Sequence, residues 1–325
     1  MNPPTTTPGA PLRCVVLDDY QRVATAFADW SVLDGVTVDQ VDRHLDGAAL
    51  VERIGDAQIV VAMRERTAFP ADVFPSLPNL RLLITTGMSN AVIDVAAASA
   101  HGVVVCGTSG AITPTSEHTW GLIHALARHI VTDDSQLRAG GWQTRVGIGL
   151  HGKRLGVIGL GRLGGLVAKV GLAFGMDVVA WSQNLTEERC AQVGVNLVDR
   201  DTLLGTADVI TIHLVLSDRT RHLIGANELA MMKPSTLLIN TSRGPIVDTA
   251  ALITALNAGT IAGAGLDVFE TEPLAADDAL RRTANTVLTP HTGYVTDDCY
   301  RIFFTHIVEN IAAWQAGEPI RVIGL

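Results

Sequence analysis

Long uncharged apolar runs are absent from this 325-residue chain, and so is any excess of basic residues. Nothing reaches 18 consecutive apolar positions, so no segment is expected to span a membrane. Lys and Arg number 24 against 33 Asp and Glu, a net charge of −9, and no basic cluster stands out. Nucleic acid and anionic membrane surfaces are therefore not expected partners. Cysteine is scarce and scattered: Cys14, Cys106, Cys190 and Cys299 show no C-x-x-C spacing. That predicts reduced, mostly buried thiols in a cytoplasmic protein, with neither a disulfide framework nor a metal site. The opening MNPPTTTPGAPLR has no cationic start and no apolar core, so it does not read as a signal peptide. No internal repeat of solenoid period is evident.

Glycine is plentiful, and one cluster organises the reading. Leu155 to Ile158 is a short apolar run, as expected of a strand buried on both faces. It leads into Gly159-Leu160-Gly161-Arg162-Leu163-Gly164, a G-x-G-x-x-G turn. Leu163, Leu166, Val167, Val170 and Phe174 then recur at helical spacing before a second strand, Asp177 to Trp181. Strand, glycine turn, helix and strand within about thirty residues form the dinucleotide-binding βαβ unit. Gly159 permits the tight turn, Gly161 lets the backbone approach a pyrophosphate, and Gly164 allows close helix–strand packing. The amides and positive dipole end of the helix hold phosphate charge.

On the N-terminal side, strands are predicted at Cys14 to Leu17, Val36 to Val41, Gln58 to Met63, Leu80 to Thr85 and Val103 to Cys106. Helices are predicted at Gln21 to Trp30, Ala48 to Ile54 and Ala91 to Ala100. This alternation indicates a parallel sheet covered on both faces, without a phosphate turn of its own. Thr113 to Val131 reads as one long helix linking two domains, with Pro114 at an early position. Leu137 to Gly152 reads as a glycine-rich loop. Beyond the central βαβ unit, strands are predicted at Val209 to Leu214, Thr236 to Asn240, Ile261 to Leu266 and Thr286 to Leu288. A helix is predicted at Asp248 to Ala258, and a last one spans Thr296 to Ala316.

Polar residues at strand ends are where α/β folds bind ligands. Arg64-Glu65-Arg66 is either a solvated charged loop or a place where a guanidinium reaches an anionic substrate. Thr85 to Asn90, containing Gly87 and Met88, either turns the chain and caps the next helix or offers amides to a carboxylate. Glu117 and His118 read as structural hydrogen-bonding groups. Arg243, Glu272 and His291 together supply what hydride chemistry at a carbonyl or alcohol requires. A cation polarises the carbonyl and anchors a carboxylate, an imidazole exchanges the proton, and a carboxylate beside it fixes the tautomer.

The strings NTSRGPIVD, GLDVFETEPL and TPHTGY, following the glycine turn in that order, resemble the D-isomer-specific 2-hydroxyacid dehydrogenase family. The resemblance covers nearly the whole chain and is strongest from Lys153 to Tyr294. It implies an α/β protein of two doubly wound, parallel-sheet, Rossmann-like domains with an active-site cleft between them. Residues 1–112 and 294–325 would form a discontinuous, flavodoxin-like substrate domain, and residues 113–293 the NAD(P)-binding domain. Carried over by motif, Arg243 would bind the substrate, His291 would be the acid/base, and Glu272 would orient it. Arg64, Gly87 and Met88, placed after the third and fourth strands, are the further candidate substrate contacts. Asp267 would meet the nicotinamide carboxamide, while Thr241 and the amides of Arg162 and Leu163 would hold the cofactor. His213 and Leu214 would line its adenosine side. The implied activity is hydride transfer between NAD(P)H and a 2-keto acid or D-2-hydroxy acid, in a homodimer.

Two departures matter. The place of the ribose-binding acid holds Ser182, followed by Gln183 and Asn184. NAD remains the expected cofactor, with NADP as the alternative, since Arg189 is the nearest arginine. Met88-Ser89 stands where a smaller glycine-rich step is typical, so an ordinary small lactate or glycerate need not be the substrate. Two rival functions carry the same motifs: a non-catalytic NAD(H)-sensing, corepressor-like protein, and a formate- or phosphite-type dehydrogenase.

Overall fold

The computed structural model describes residues 11–324; the polar N-terminal tail therefore lies, for residues 1–10, outside the described residues. The described chain divides into two compact units, residues 11–111 with 295–324, and residues 112–294.

The first unit contains β1 (Leu12–Val16), β2 (Val36–Gln40), α1 (Gly47–Ile54), β3 (Ile59–Ala62), β4 (Leu82–Thr85), α2 (Val95–Ala100) and β5 (Val104–Cys106). Its sheet runs β2-β1-β3-β4-β5, and every pairing is parallel. That is the flavodoxin-like order, whose switch point lies between β1 and β3. β3 and β4 read IVVA and LLIT and are buried at every position, because a parallel strand is covered on both faces.

The second unit contains α3 (Thr113–Ala127), α4 (Ile130–Arg138), β6 (Arg154–Ile158), α5 (Arg162–Ala173), β7 (Asp177–Trp181), α6 (Glu187–Val193) and β8 (Asn196–Leu197). It continues through α7 (Arg200–Thr206), β9 (Val209–Ile212), α8 (Ala226–Met231), β10 (Leu237–Asn240), α9 (Thr249–Asn257), β11 (Gly263–Leu266) and β12 (Thr286–Leu288). α10 (Asp297–Gln315) returns the chain to the first unit, where it packs on β4. The second sheet runs β12-β11-β10-β9-β6-β7-β8, again all parallel. Alternation along a strand feeds two cores. In β10, Leu238 joins one apolar cluster while Leu237 and Ile239 join the other. Each fully buried Leu or Ile contributes roughly 1.5–3 kcal/mol.

Three helical expectations need correction. No α-helix forms over Gln21 to Trp30, where only short 3-10 turns occur at Ala24–Ala26 and Trp30–Val32. The Asp19 carboxylate accepts from the amides of Val23 and Ala24, and Arg22 takes a left-handed backbone, so the first turn cannot propagate. The long helix from Thr113 breaks at His129, whose φ of 54° separates α3 from α4 and turns part of the expected loop into helix. α2 starts at Val95 rather than Ala91, because Asp94 is the cap, accepting from the Ala97 amide at 2.8 Å.

All four cysteines are buried and unpaired. Burial pushes the Cys14 thiol up to about 12 and that of Cys106 up to about 11. The thiolate is the reactive form. A thiol-disulfide reagent at pH 8 is therefore expected to release no signal within minutes from native protein, and all four equivalents after unfolding. Rapid labelling of the native chain would contradict this burial.

Candidate active site

In a parallel sheet all strands end on the same edge, and the second unit collects its polar loops there. The strand order reverses at β6, between β7 and β9, which is the crevice where such sheets bind ligands. An open groove of about 700 Å³ occupies it, lined by Gly159 and Gly161 after β6, Trp181 to Thr186 with Arg189 after β7, and His213 to Val215 after β9.

The glycine turn fits a dinucleotide phosphate. Gly159 has a φ of 98°, and a side chain there would press within 2.7 Å of the His213 carbonyl oxygen. A side chain at Gly164 would collide with the Gly159 carbonyl, so the first turn of α5 lies directly on the end of β6. Nothing stands above Gly161 within 4 Å. α5 has no side-chain cap and no acidic residue in its first turn, which leaves the amides around Arg162 and Leu163 for an anion. Burial drives the His213 imidazole down to about 3, so this groove residue is neutral. Its Nε2 meets Thr211 Oγ1 at 2.9 Å, while Nδ1 is buried without a hydrogen-bond partner among the described residues.

β10, β11 and β12 deliver the three chemical residues to the same edge. After β10, the Asn240 side chain donates to the Arg243 carbonyl (2.9 Å) and accepts from the Ser242 amide (3.0 Å), shaping the turn that carries Arg243. Ser242 Oγ donates to the Leu214 carbonyl, tying this turn to the groove. Gly244 lies against the backbone of Phe269 and Glu270, where any side chain would overlap. The Arg243 turn thereby packs on the loop that carries Glu272. Glu272 accepts from the Phe269 amide (2.9 Å) through Oε1 and meets His291 Nδ1 at 2.6 Å through Oε2. The pairing assigns the Nδ1–H form to His291 and leaves Nε2 for chemistry. The ring is 15% exposed, and Tyr294 packs edge-on against it at 5.6 Å.

Asp267, at the end of β11, holds the His291 turn from below. Its carboxylate is 2% exposed. One oxygen accepts from Thr289 Oγ1 (2.6 Å) and the Thr292 amide (2.8 Å), the other from the Gly293 amide (2.8 Å). His118 Nε2 lies 2.8 Å from Thr289 Oγ1 and 3.2 Å from Asp267. His291 itself has a φ of 53°, a strained backbone that this network over-determines.

Residues 120–293 match the family model described as the D-isomer specific 2-hydroxyacid dehydrogenase NAD binding domain. The chain belongs to the D-isomer specific 2-hydroxyacid dehydrogenase family. It is 39% identical to a glyoxylate reductase of Aeropyrum pernix over 257 residues, covering 76% of this chain and 77% of that protein. It is also 39% identical to a D-3-phosphoglycerate dehydrogenase of Archaeoglobus fulgidus, covering 90% of this chain but spanning only 56% of that relative. The crystal structure of a phosphoglycerate oxidoreductase from Vibrio cholerae superposes with a TM-score of 0.90 at 32% identity, covering 94% of this chain and 99% of that one. As a family member the chain is an oxidoreductase with an NAD(P)-binding domain, and the resemblance read from its motifs holds.

Set against the family's motifs, the groove brings together Gly159, Gly161, Ser182, His213 and Leu214. Thr241 sits beyond the groove lining, buried, with its hydroxyl 2.9 Å from that of Thr119 on α3. Arg64, Gly87 and Met88 belong to the first unit. The Arg64 backbone is left-handed, its guanidinium donates to the Thr86 carbonyl at 3.3 Å and lies over Gly87, and Met88 is half exposed. His118 and Asp267 stand 149 positions apart, and no spacing in the sequence marks them as a pair.

Asp267 gives the site a measurable acid sensitivity. Burial raises its pKa, but hydrogen bonds from His118, Thr289 and the Thr292 amide outweigh that and hold the carboxyl below its ordinary value. A depressed folded pKa means stability that is present above about pH 4, the unfolded value, and lost as pH falls through the folded one. Asp267→Asn is expected to cost about 2–3 kcal/mol near neutrality, with the gap from the parent protein narrowing below about pH 4. Urea unfolding across that range checks it, and a gap independent of pH would contradict the assignment.

Proposed function

We propose that this chain reduces a small 2-keto acid with NAD(P)H, and oxidises the matching D-2-hydroxy acid in reverse. The observation that carries the reading is the His291–Glu272 pair at 2.6 Å, built on the same sheet edge as the dinucleotide groove. The bound dinucleotide supplies or accepts the hydride. Arg243 pairs with the substrate carboxylate and polarises its carbonyl. His291 Nε2 donates the proton to the carbonyl oxygen in reduction and removes it from the hydroxyl in oxidation. Glu272 holds the imidazole in orientation through its contact with Nδ1. Arg64, whose guanidinium lies over Gly87, is a further proposed substrate residue together with Gly87 and Met88. The glyoxylate reductases among the relatives support a substrate of few carbons.

A homodimer in the cytoplasm completes the proposal. Ile130, Val131, Leu137, Trp142 and Val146 are all exposed within one stretch, Trp142 by 79% and Val146 by 92%, an apolar surface suited to a second copy. Buried reduced cysteines suit a reducing compartment. Among the described residues no helix is long and apolar enough to cross a membrane.

His291→Ala is expected to lower kcat for glyoxylate or hydroxypyruvate about a hundred- to ten-thousandfold, with the dissociation constant for reduced dinucleotide unchanged. Full turnover in this variant would end the acid/base assignment, and cofactor binding without turnover in the parent protein would favour a sensor. Sedimentation should give twice the chain mass, and Trp142→Ser with Val146→Asp should give the single mass. A parent protein that sediments as one chain would refute the dimer.

A further inference from the structure

We propose that the groove prefers a dinucleotide bearing a 2′-phosphate, NADP(H), with Arg189 and Ser182 as the residues that set this choice. The inference rests on reading the groove as the cofactor site and concerns only which cofactor enters it. In a sheet of this topology the residue after β7 faces the adenosine ribose, where an acid would accept from both hydroxyls and repel a phosphate. Ser182 stands there, Gln183 and Asn184 follow, and among the described residues no carboxylate lines the groove. The repulsive element is missing.

An attractive element is present. Arg189 projects from α6 back to the glycine turn, donating through Nε to the Leu160 carbonyl and through a terminal nitrogen to the Gly161 carbonyl, both at 3.0 Å. These bonds fix the guanidinium in the groove wall. Its hydrogen-bond partners among the described residues are neutral, two carbonyls and the Gln192 amide at 3.4 Å, so its charge is not neutralised by an ion pair. Arg219 lines the same groove from the loop after β9. The opposing charges are Glu187 and Glu188 at the start of α6. Neither lines the groove, and the Glu188 carboxyl is held low by its own amide and the Thr186 hydroxyl, turned onto its own helix. A dianionic phosphate beside Ser182 would thus meet a hydroxyl and a planar donor well suited to it.

The test is a fluorescence titration of the full chain with NADPH and NADH, followed by displacement with 2′,5′-ADP and 5′-ADP. NADPH should bind more tightly than NADH, and 2′,5′-ADP should displace it at the lower concentration. Arg189→Ala should raise the ratio of NADPH to NADH dissociation constants about tenfold or more. That variant also loosens the glycine turn, so the ratio is read rather than either affinity. Ser182→Asp leaves the turn's bonds in place and should raise the same ratio. Binding of NADH by the parent protein that equals or exceeds that of NADPH, or a ratio unmoved by Arg189→Ala, overturns the inference and leaves the cofactor groove standing. Failure to bind either nucleotide overturns both.

Discussion

An ionised carboxylate at the end of β11 is the constraint on which the chemical end of this molecule depends. Asp267 is almost without solvent, and an unpaired charge there would be prohibitively costly. Its donors come from the turn that carries His291 and from α3, so the desolvation is offset only when that turn adopts one shape. Apolar burial could hold the turn near the sheet but could not direct it, because it has no preferred angle. Charge-assisted hydrogen bonds have both direction and strength. They sustain the left-handed backbone at His291, which alone would cost roughly 1–2 kcal/mol. Glu272 then sets the ring.

The parallel topology turns this local arrangement into a site. Every strand of the second sheet ends on one edge, so the loops after β6, β7 and β9 form the groove while those after β10, β11 and β12 form the chemical triad. The two halves are joined by short contacts between loops, such as Ser242 to the Leu214 carbonyl and the Gly244 approach to Phe269. Residues at strand ends inherit the rigidity of the sheet, which is what positioning a proton donor requires.

Strands were legible because a parallel strand buried on both faces leaves a continuous apolar run, as VITI in β9 and LLIN in β10 do. β8, two exposed residues long, leaves no such trace. Over Gln21 to Trp30, Val23, Ala24, Phe27 and Trp30 stand at helical apolar spacing. That spacing does not register that Asp19 takes two of the amides a first turn would leave open. His129 interrupts α3 through a backbone angle that its side chain does not announce. In the site, Arg243, Glu272 and His291 were legible from motif and chemistry, and the glycine turn from its spacing. The network around Asp267 was not, since its donors lie 22 to 26 positions downstream and at His118 far upstream. Arg189 was visible as a nearby cation, but its anchorage on the glycine turn is a tertiary fact.

The charge balance explains why local geometry, rather than the whole-molecule field, must do the binding. A chain of net charge −9 repels both an anionic dinucleotide and an anionic keto acid at long range. At physiological salt that repulsion is screened beyond about 8 Å, whereas hydrogen-bond donors act at about 3 Å. The groove answers with Arg189, Arg219 and the uncapped amides of α5, and the triad answers with Arg243. Attraction is thus confined to the places where phosphate and carboxylate come to rest. An anion without the right spacing gains little from the surface as a whole, so selectivity comes from where these few cations stand.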